Sequence, residues 1–312
     1  MKNRLINFAR KYPIVFILAV CIIFFSASSP VFLSSQNLTN ILLQVSIIGI
    51  ISIGMTLILI NANIDLSVGS ILAFSAALAM GLQTYGLFFS IIACLAVGTL
   101  IGALNGFLVA KAKINSFIVT LGAMMGVRGL VYIYTQERPI VGTERALIDF
   151  GSSSVGPIPV IALIFVLMLI AAELVLRYTT HGRNAIAVGG NYEAAENAGI
   201  KVERHVLFNF MFIGFTAALA GLLLVSRTNS ATAFLGTNYE LMVISAVVLG
   251  GTKLTGGYGS MLNTFGGVLV IGMIQNGMNL LNVHAYYSML IMGLILILVV
   301  FIDTRFKAPV NI

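Results

Sequence analysis

Residues 41–60, ILLQVSIIGIISIGMTLILI, run without a charged side chain and with only scattered hydroxyls and one amide. A helix of about 20 apolar residues matches the roughly 30 Å hydrocarbon core of a bilayer. Inside that core every backbone N–H and C=O needs a partner within the segment, and for a run apolar at almost every position only a helix supplies it. A membrane β-barrel would instead show alternating segments of about 10 residues. The run has many companions: 59% of the 312 residues are hydrophobic and 9% are charged, against about 25% charged in soluble domains. The fold class expected is all-α, a polytopic integral membrane protein forming one transmembrane domain over residues 1–312.

Apolar runs separated by polar or turn residues mark ten candidate spans, at 13–28, 41–60, 66–82, 87–110, 116–135, 158–176, 206–226, 240–252, 261–281 and 285–302. The run at 240–252 has the length of a re-entrant or buried segment, and the parity of the count depends on it. A cytoplasmic amino terminus places Lys2, Arg4, Arg10, Lys11, Lys111, Lys113, Arg177, Arg183, Lys201, Arg204, Lys253, Arg305 and Lys307 on the cytoplasmic side. Only Arg128, Arg138, Arg145 and Arg227 then fall outside or near outer span ends. Lys and Arg are retained on the cytoplasmic side, so the net charge of +7 reads as a topology label with both termini cytoplasmic. Tyr12, Tyr85, Tyr132, Tyr134, Tyr178, Tyr239, Tyr286 and Tyr287 lie at or near span ends, where an amphipathic ring favours the headgroup level. The basic first 12 residues before an apolar run also have the form of a secretory signal. A retained first span is the preferred reading, with the small residues ASS at 27–29 as the one feature resembling a cleavage site.

Several function classes drop out. Cys21 and Cys94 lie inside apolar runs, where a thiol behaves as a small hydrophobe, and His181, His205 and His284 are scattered without metal-ligand spacing. No disulfide framework, metal or cofactor is expected. No basic stripe tracks a phosphate backbone, which argues against nucleic acid. The GxxxxGK[ST] phosphate loop is absent from the sequence, so an ATP-driven process would need a separate ATPase.

Three polar segments are candidates for function. The longest is 177–205, between spans 6 and 7. Its centre, NYEAAENAGI, carries a capping Asn191, acidic Glu193 and Glu196 in the first turns and Gly199 at the end, the signals of a short helix. It reads either as a cytoplasmic docking element or as a solvated connector. The second is NANIDLSVGS at 61–70, where Asp65 sits among Asn61, Asn63 and Ser67. An acid at membrane depth is a functional candidate, while Asp65 or Ser67 is also the residue type that caps a helix, and capping is the reading preferred. The third is VVLGGTKLTGGYGSML at 247–262, whose glycines break helix and permit close backbone packing; broken helices expose backbone groups to a polar solute.

Two weak internal echoes, DLSVGS at 65–70 with LTGGYGS at 254–260 and Asn105–Gly106 with Asn276–Gly277, have the form of an inverted duplication but do not keep one spacing: 70 to 105 is 35 positions and 260 to 276 is 16. Polar side chains within spans are few: Gln44, Asn105, Asn209, Asn263, Gln275, Asn276 and Asn279. Singly they read as interhelical hydrogen-bond partners, and together as the lining of a path for a neutral, hydroxyl-rich solute. No cluster of buried acids or histidines of the proton-relay kind is visible, nor a nucleophile paired with a base. An ion-coupled carrier and a membrane-embedded enzyme are the alternatives these absences weigh against.

The segments GMTLILINANIDLSVGSILA (54–73), INSFIVTLGAMMGVRG (114–129), GRNAIAVGGNYEAAENAGIKV (182–202), YELMVISAVVLGGTKLTGGYGS (239–260) and NGMNLLNV (276–283) resemble, in order and over nearly the whole chain, the permease subunits of bacterial ABC importers for monosaccharides of the ribose, xylose and galactose type. The resemblance implies a permease that pairs with a second copy or a paralogue in the inner membrane. It also implies docking on a cytoplasmic ABC ATPase and receipt of sugar from a periplasmic or lipoprotein binding protein. It assigns 183–202 to ATPase coupling, through Asn191, Glu193, Ala194, Ala195 and Gly199. Candidates for the translocation path are Asn61, Asn63, Asp65, Asn105, Gly250, Gly251, Thr252, Gly256, Gly257, Asn276 and Asn279. Asn61 and Asn63 replace the smaller residues of relatives before IDLSVG, which argues against a fixed sugar contact there. Related permeases also carry other solutes, such as nucleosides.

Overall fold

The structure, a computed structural model, describes residues 13–305. The terminal charges Lys2, Arg4, Arg10, Lys11 and Lys307, with Tyr12, lie outside the described residues. Among those described are thirteen α-helices: α1 (Pro13–Ser28), α2 (Ser35–Ile60), α3 (Val68–Gly81), α4 (Leu87–Ala110), α5 (Ser116–Thr135), α6 (Arg145–Ser152), α7 (Val160–Tyr178), α8 (Thr180–Gly190), α9 (Tyr192–Asn197), α10 (Val202–Thr228), α11 (Tyr239–Leu249), α12 (Met261–Leu280) and α13 (Ala285–Arg305). Five of them, α2, α4, α5, α7 and α10, are long and apolar enough to cross a membrane, and apolar stretches of α1, α3, α11 and α13 are shorter. Each of the ten apolar runs falls on a helix. The largest boundary change is at α2, which starts at Ser35 because Ser34 caps it by accepting the Asn37 N–H at 3.3 Å.

Helix α2 is the axis of the bundle. It is apolar on every face, as a helix surrounded by others must be, and every residue from Val45 to Ile60 is buried. Helix α10 runs antiparallel beside it: Asn61 meets Asn209, Gly54 meets Ile213 and Thr216, and Arg227 reaches Asn40. Helix α4 lays Gly98, Gly102 and Gly106 against Gly214, Ala218, Phe210 and Leu207 of α10. Small residues at four-residue spacing let two backbones approach closely, the usual interface where lipid gives no hydrophobic drive between helices. Helix α12 packs on α2 in the same antiparallel sense, with Gly272 on Val45, Thr56 and Thr264 hydroxyls 2.9 Å apart, and Asn37 and Asn276 exchanging two hydrogen bonds at 3.0 and 2.9 Å.

These pairings reveal a repeat. The starts of α2, α3, α4 and α5 recur as those of α10, α11, α12 and α13 at offsets of 167, 171, 174 and 169 residues, and α2 and α10 point in opposite directions. Asn105–Gly106 and Asn276–Gly277 stand 171 residues apart, within the range of these offsets, each near the end of its helix. The DLSVGS and LTGGYGS echo does not fit, because 65–70 precedes α3 while 254–260 follows α11. Helices α3 and α11 are the short members, 14 and 11 residues, or about 21 and 16 Å long against a core of roughly 30 Å. Irregular segments, 61–67 and 229–238, precede them. Gly69 and Gly236 pack backbone to backbone where these units cross. Irregular backbone within a bilayer is tolerated only where protein buries it, and Asp65, Ser67 and Ala233 are buried. Tyr239 begins α11, at a span end as the sequence suggested, and its half-buried ring packs against the core.

At the far end of α10, β1 (Ile140–Val141) pairs antiparallel with β4 (Ser230–Ala231), and β2 (Ser154–Val155) pairs with β3 (Ile158–Pro159). Arg128 of α5 donates to the carbonyls of Ala233 and Leu235, both at 2.8 Å, fastening the segment before α11. The reciprocal Asn37 and Asn276 pair gives a quantitative expectation. A double-mutant cycle with Asn37→Leu and Asn276→Leu, followed by unfolding in detergent, should return a coupling of about 0.6 kcal/mol, the average for interhelical hydrogen bonds.

Candidate coupling and translocation site

The connector between α7 and α10 contains two helices. Thr179 caps α8 by accepting the Gly182 N–H, and Asn191 caps α9 by accepting the Ala194 N–H at 2.9 Å. Gly199, at φ +84°, ends the unit. The short helix expected from NYEAAENAGI is therefore present, with Glu193 in its first turn, where a negative side chain suits the helix dipole. Asn191, Glu193, Ala194 and Gly199 are exposed, whereas Ala195 is 4% exposed and packed into the core. The five coupling candidates thus divide into an outward face and one inward anchor. Helix α8 is not signalled in the sequence, because Gly182, Gly189 and Gly190 read as breaks; Gly182 and Gly189 instead allow close packing, on Leu176 and Ile60. A Cβ on Gly189 would overlap the Ile60 carbonyl.

That carbonyl also accepts the Gly257 N–H at 2.8 Å, so the end of α2, the end of α8 and the loop 250–260 share one junction. Asn61 lies beside it. Its amide donates to the Ala185 carbonyl at 2.7 Å while its oxygen accepts from Asn209 of α10. The Asn209 oxygen faces His181 Nε2 at 2.9 Å, its amide faces His205 Nε2 at 3.3 Å, and the two imidazoles touch, tilted by 42° with centroids 4.2 Å apart. Sequence reasoning treated these histidines as scattered. The signal it passed over is the four-residue spacing of His205 and Asn209, which puts both on one face of α10. Glu173 was passed over as well: it pairs with Arg177 one turn on and accepts the Met261 N–H at 3.1 Å, capping α12.

Asp65 is fully buried, and its Oδ1 accepts both the Ser67 N–H at 2.8 Å and the Ser67 hydroxyl at 2.6 Å. Asn105 of α4 donates to that hydroxyl at 3.0 Å. Ser67 occupies the N-cap position of α3 without a side-chain cap bond, so its hydroxyl does not cap. Asp65 closes a local turn within the protein interior instead of capping at a water boundary. Its Oδ2 is buried with no hydrogen-bond partner among the described residues. Asn63 donates to the Asn61 carbonyl at 2.9 Å.

The remaining path candidates do not converge on one place. Helix α11 stops at Leu249, three residues before the expected end, because Gly250 and Gly251 terminate it. Thr252 is buried in the loop, and Gly256 and Gly257, with φ +82° and +72°, lie against Ala62 and Gly190. Asn105 and Asn276 are engaged in interhelical hydrogen bonds. Asn279 lies at the opposite end of α12, lining a cavity of about 460 Å³ with Asn238, Ser245 and Gln275 between α11, α12 and α13.

A buried apolar axis, inverted halves, broken segments at its end and an exposed capped element together define a polytopic all-α membrane protein. A family model described as the permease component of the branched-chain amino acid transport system matches residues 37–300. The chain belongs to that family of transport permease components. It is 41% identical to the ribose import permease protein of Bacillus subtilis strain 168, over 93% of this chain and 92% of that one. It is 40% identical to the ribose import permease protein of Escherichia coli K12, over 92% of each. It is 37% identical to the L-arabinose transport system permease protein of Escherichia coli K12, over 95% of this chain and 91% of that one. No solved structure matches the chain.

Proposed function

We propose that this chain is the membrane permease of an ATP-driven ABC importer for a monosaccharide, ribose or a pentose like it. The observation that carries the reading is the identity to ribose and L-arabinose permeases across more than nine-tenths of the chain. In this reading ten helices, α1 to α5, α7 and α10 to α13, cross the inner membrane with both termini cytoplasmic. The exposed face of α8 and α9 docks a cytoplasmic ABC ATPase, and a sugar-binding protein delivers substrate at the opposite surface. A second permease copy or a paralogue completes the pathway. The chain itself is a conduit: ATP hydrolysis belongs to the partner, and its energy opens the helices alternately to the two sides.

The decisive experiment reconstitutes the permease in proteoliposomes with its cassette ATPase and binding protein. Labelled ribose should enter only with ATP and with all three components present. Uptake driven by an ion gradient through this chain alone would overturn the importer in favour of a secondary carrier. The family description supports a second substrate reading, and uptake of leucine in preference to ribose in the same assay would establish it.

A further inference from the structure

The hydrogen bonds around Asn209 form a closed ring that leaves α8 and returns to it. His181 Nε2–H donates to Asn209 Oδ1, the Asn209 amide donates to Asn61 Oδ1, and the Asn61 amide donates to the carbonyl of Ala185. His181 and Ala185 are one helical turn apart, so α8 is held at two points and its rotation is fixed along with its position. The second Asn209 amide hydrogen goes to His205 Nε2. Asn61 and Asn209 are 4% and 0% exposed, and a buried amide that loses its partner bears its whole desolvation cost. The ring therefore holds as a unit or opens as a unit.

Its position matters as much as its closure. Helix α8 is joined to α9 by the single extended residue Asn191, α10 contributes Asn209, and Asn61 ends the buried axis α2. From Asn61 the chain continues through 61–67, where Asp65, Ser67 and Asn105 tie α3 and α4 together. We propose that the ring of His181, Asn209, Asn61 and the Ala185 carbonyl is the joint through which displacement of the α8–α9 element turns α2 and α10, so that these three side chains are positioning residues for transport. The proposal rests on ATPase docking at α8 and α9, and adds the route by which docking reaches the core.

His181→Phe tests it with little structural change. The new ring keeps the tilted contact with His205 and the edge contact with Phe208 now made at 4.2 and 5.0 Å, and loses the N–H. In proteoliposomes with the cassette ATPase and binding protein, the complex should assemble and hydrolyse ATP at the basal rate. Ribose delivered per ATP should fall at least about fivefold, the lower end of site-to-site coupling. His181→Gln, whose amide can donate in place of the ring nitrogen, should recover most of the loss. Asn209→Leu should lose as much as His181→Phe, and the double variant no more than either, since the ring is already open. Unchanged ribose per ATP in His181→Phe, no recovery with Gln, or losses that multiply in the double variant would each overturn the joint. Failure of the docking reading appears elsewhere, as full assembly and stimulated hydrolysis in a permease whose α9 face has been altered.

Discussion

Permease carrying Glu193→Lys and Ala194→Arg should insert at the wild-type level and fail to hold its ATPase. Both side chains are exposed on α9, and surface changes away from special features alter stability by about 0.5 kcal/mol or less. Placing Lys in the first turn of α9 opposes the helix dipole, at about 0.3–1 kcal/mol, which is too little to unfold the bundle. At a docking surface the same pair replaces a small contact and an acid with two bulky cations. Central interface positions cost about 2 kcal/mol or more when disrupted, or at least about 30-fold in affinity. Copurification of the ATPase from detergent and hydrolysis stimulated by loaded binding protein are the measurements. Glu193→Gln, which keeps shape and removes charge, separates an electrostatic contact from a steric one. Normal stimulated hydrolysis in the Lys/Arg variant would remove α9 from the docking surface.

The second large effect is expected from Gly257→Val. Gly257 has φ +72° and lies where a Cβ would stand 2.9 Å from the Cα of Gly190. Left-handed backbone costs an L-residue roughly 1–2 kcal/mol, and a β-branched side chain must also push α8 away from the end of α2. The N–H of Gly257 would then leave the Ile60 carbonyl, and the junction of three segments would open. Ribose uptake should fall by more than about tenfold, matching a loss near 1.4 kcal/mol, while the binding protein keeps its affinity for sugar. Gly251→Val is the internal comparison, since Gly251 has a similar φ of +85° but nothing within 4 Å of its Cβ position. It carries the backbone strain without the collision and should impair uptake less. Normal uptake by Gly257→Val would show that these glycines serve the turn alone.

Much of the architecture was legible because lipid imposes a simple code. Runs such as 41–60 and 87–110 announce helices by length and apolarity, and Asn191 and Gly199 bracket α9 with recognised end signals. Less visible were features that depend on contact. Gly182 and Gly189 look like breaks until α8 is seen against the ends of α7 and α2, and Gly98, Gly102 and Gly106 identify a packing face only once α10 is its partner. Of the two echoes only Asn105–Gly106 with Asn276–Gly277 falls within the repeat, and their unequal spacing hid it, because glycine and serine recur at any turn and similarity of turns does not establish equivalence of place. His181 and Asn61 are 120 positions apart in sequence, and no periodicity relates them. Their connection through Asn209 is a product of the fold.

The exchange of partners between halves has a consequence for how the protein is made. The glycine face of α4 finds its match on α10, and α2 finds one of its own on α12, so neither half closes upon itself. While the ribosome is still extending the chain past α5, the inserted amino-terminal helices lack the surfaces that bury them. The central helix remains open to lipid or to insertion machinery until residues near 280 have entered the bilayer. Completion of the core is thus a late event in synthesis, and truncation anywhere before α12 leaves a membrane-inserted chain without its axis enclosed.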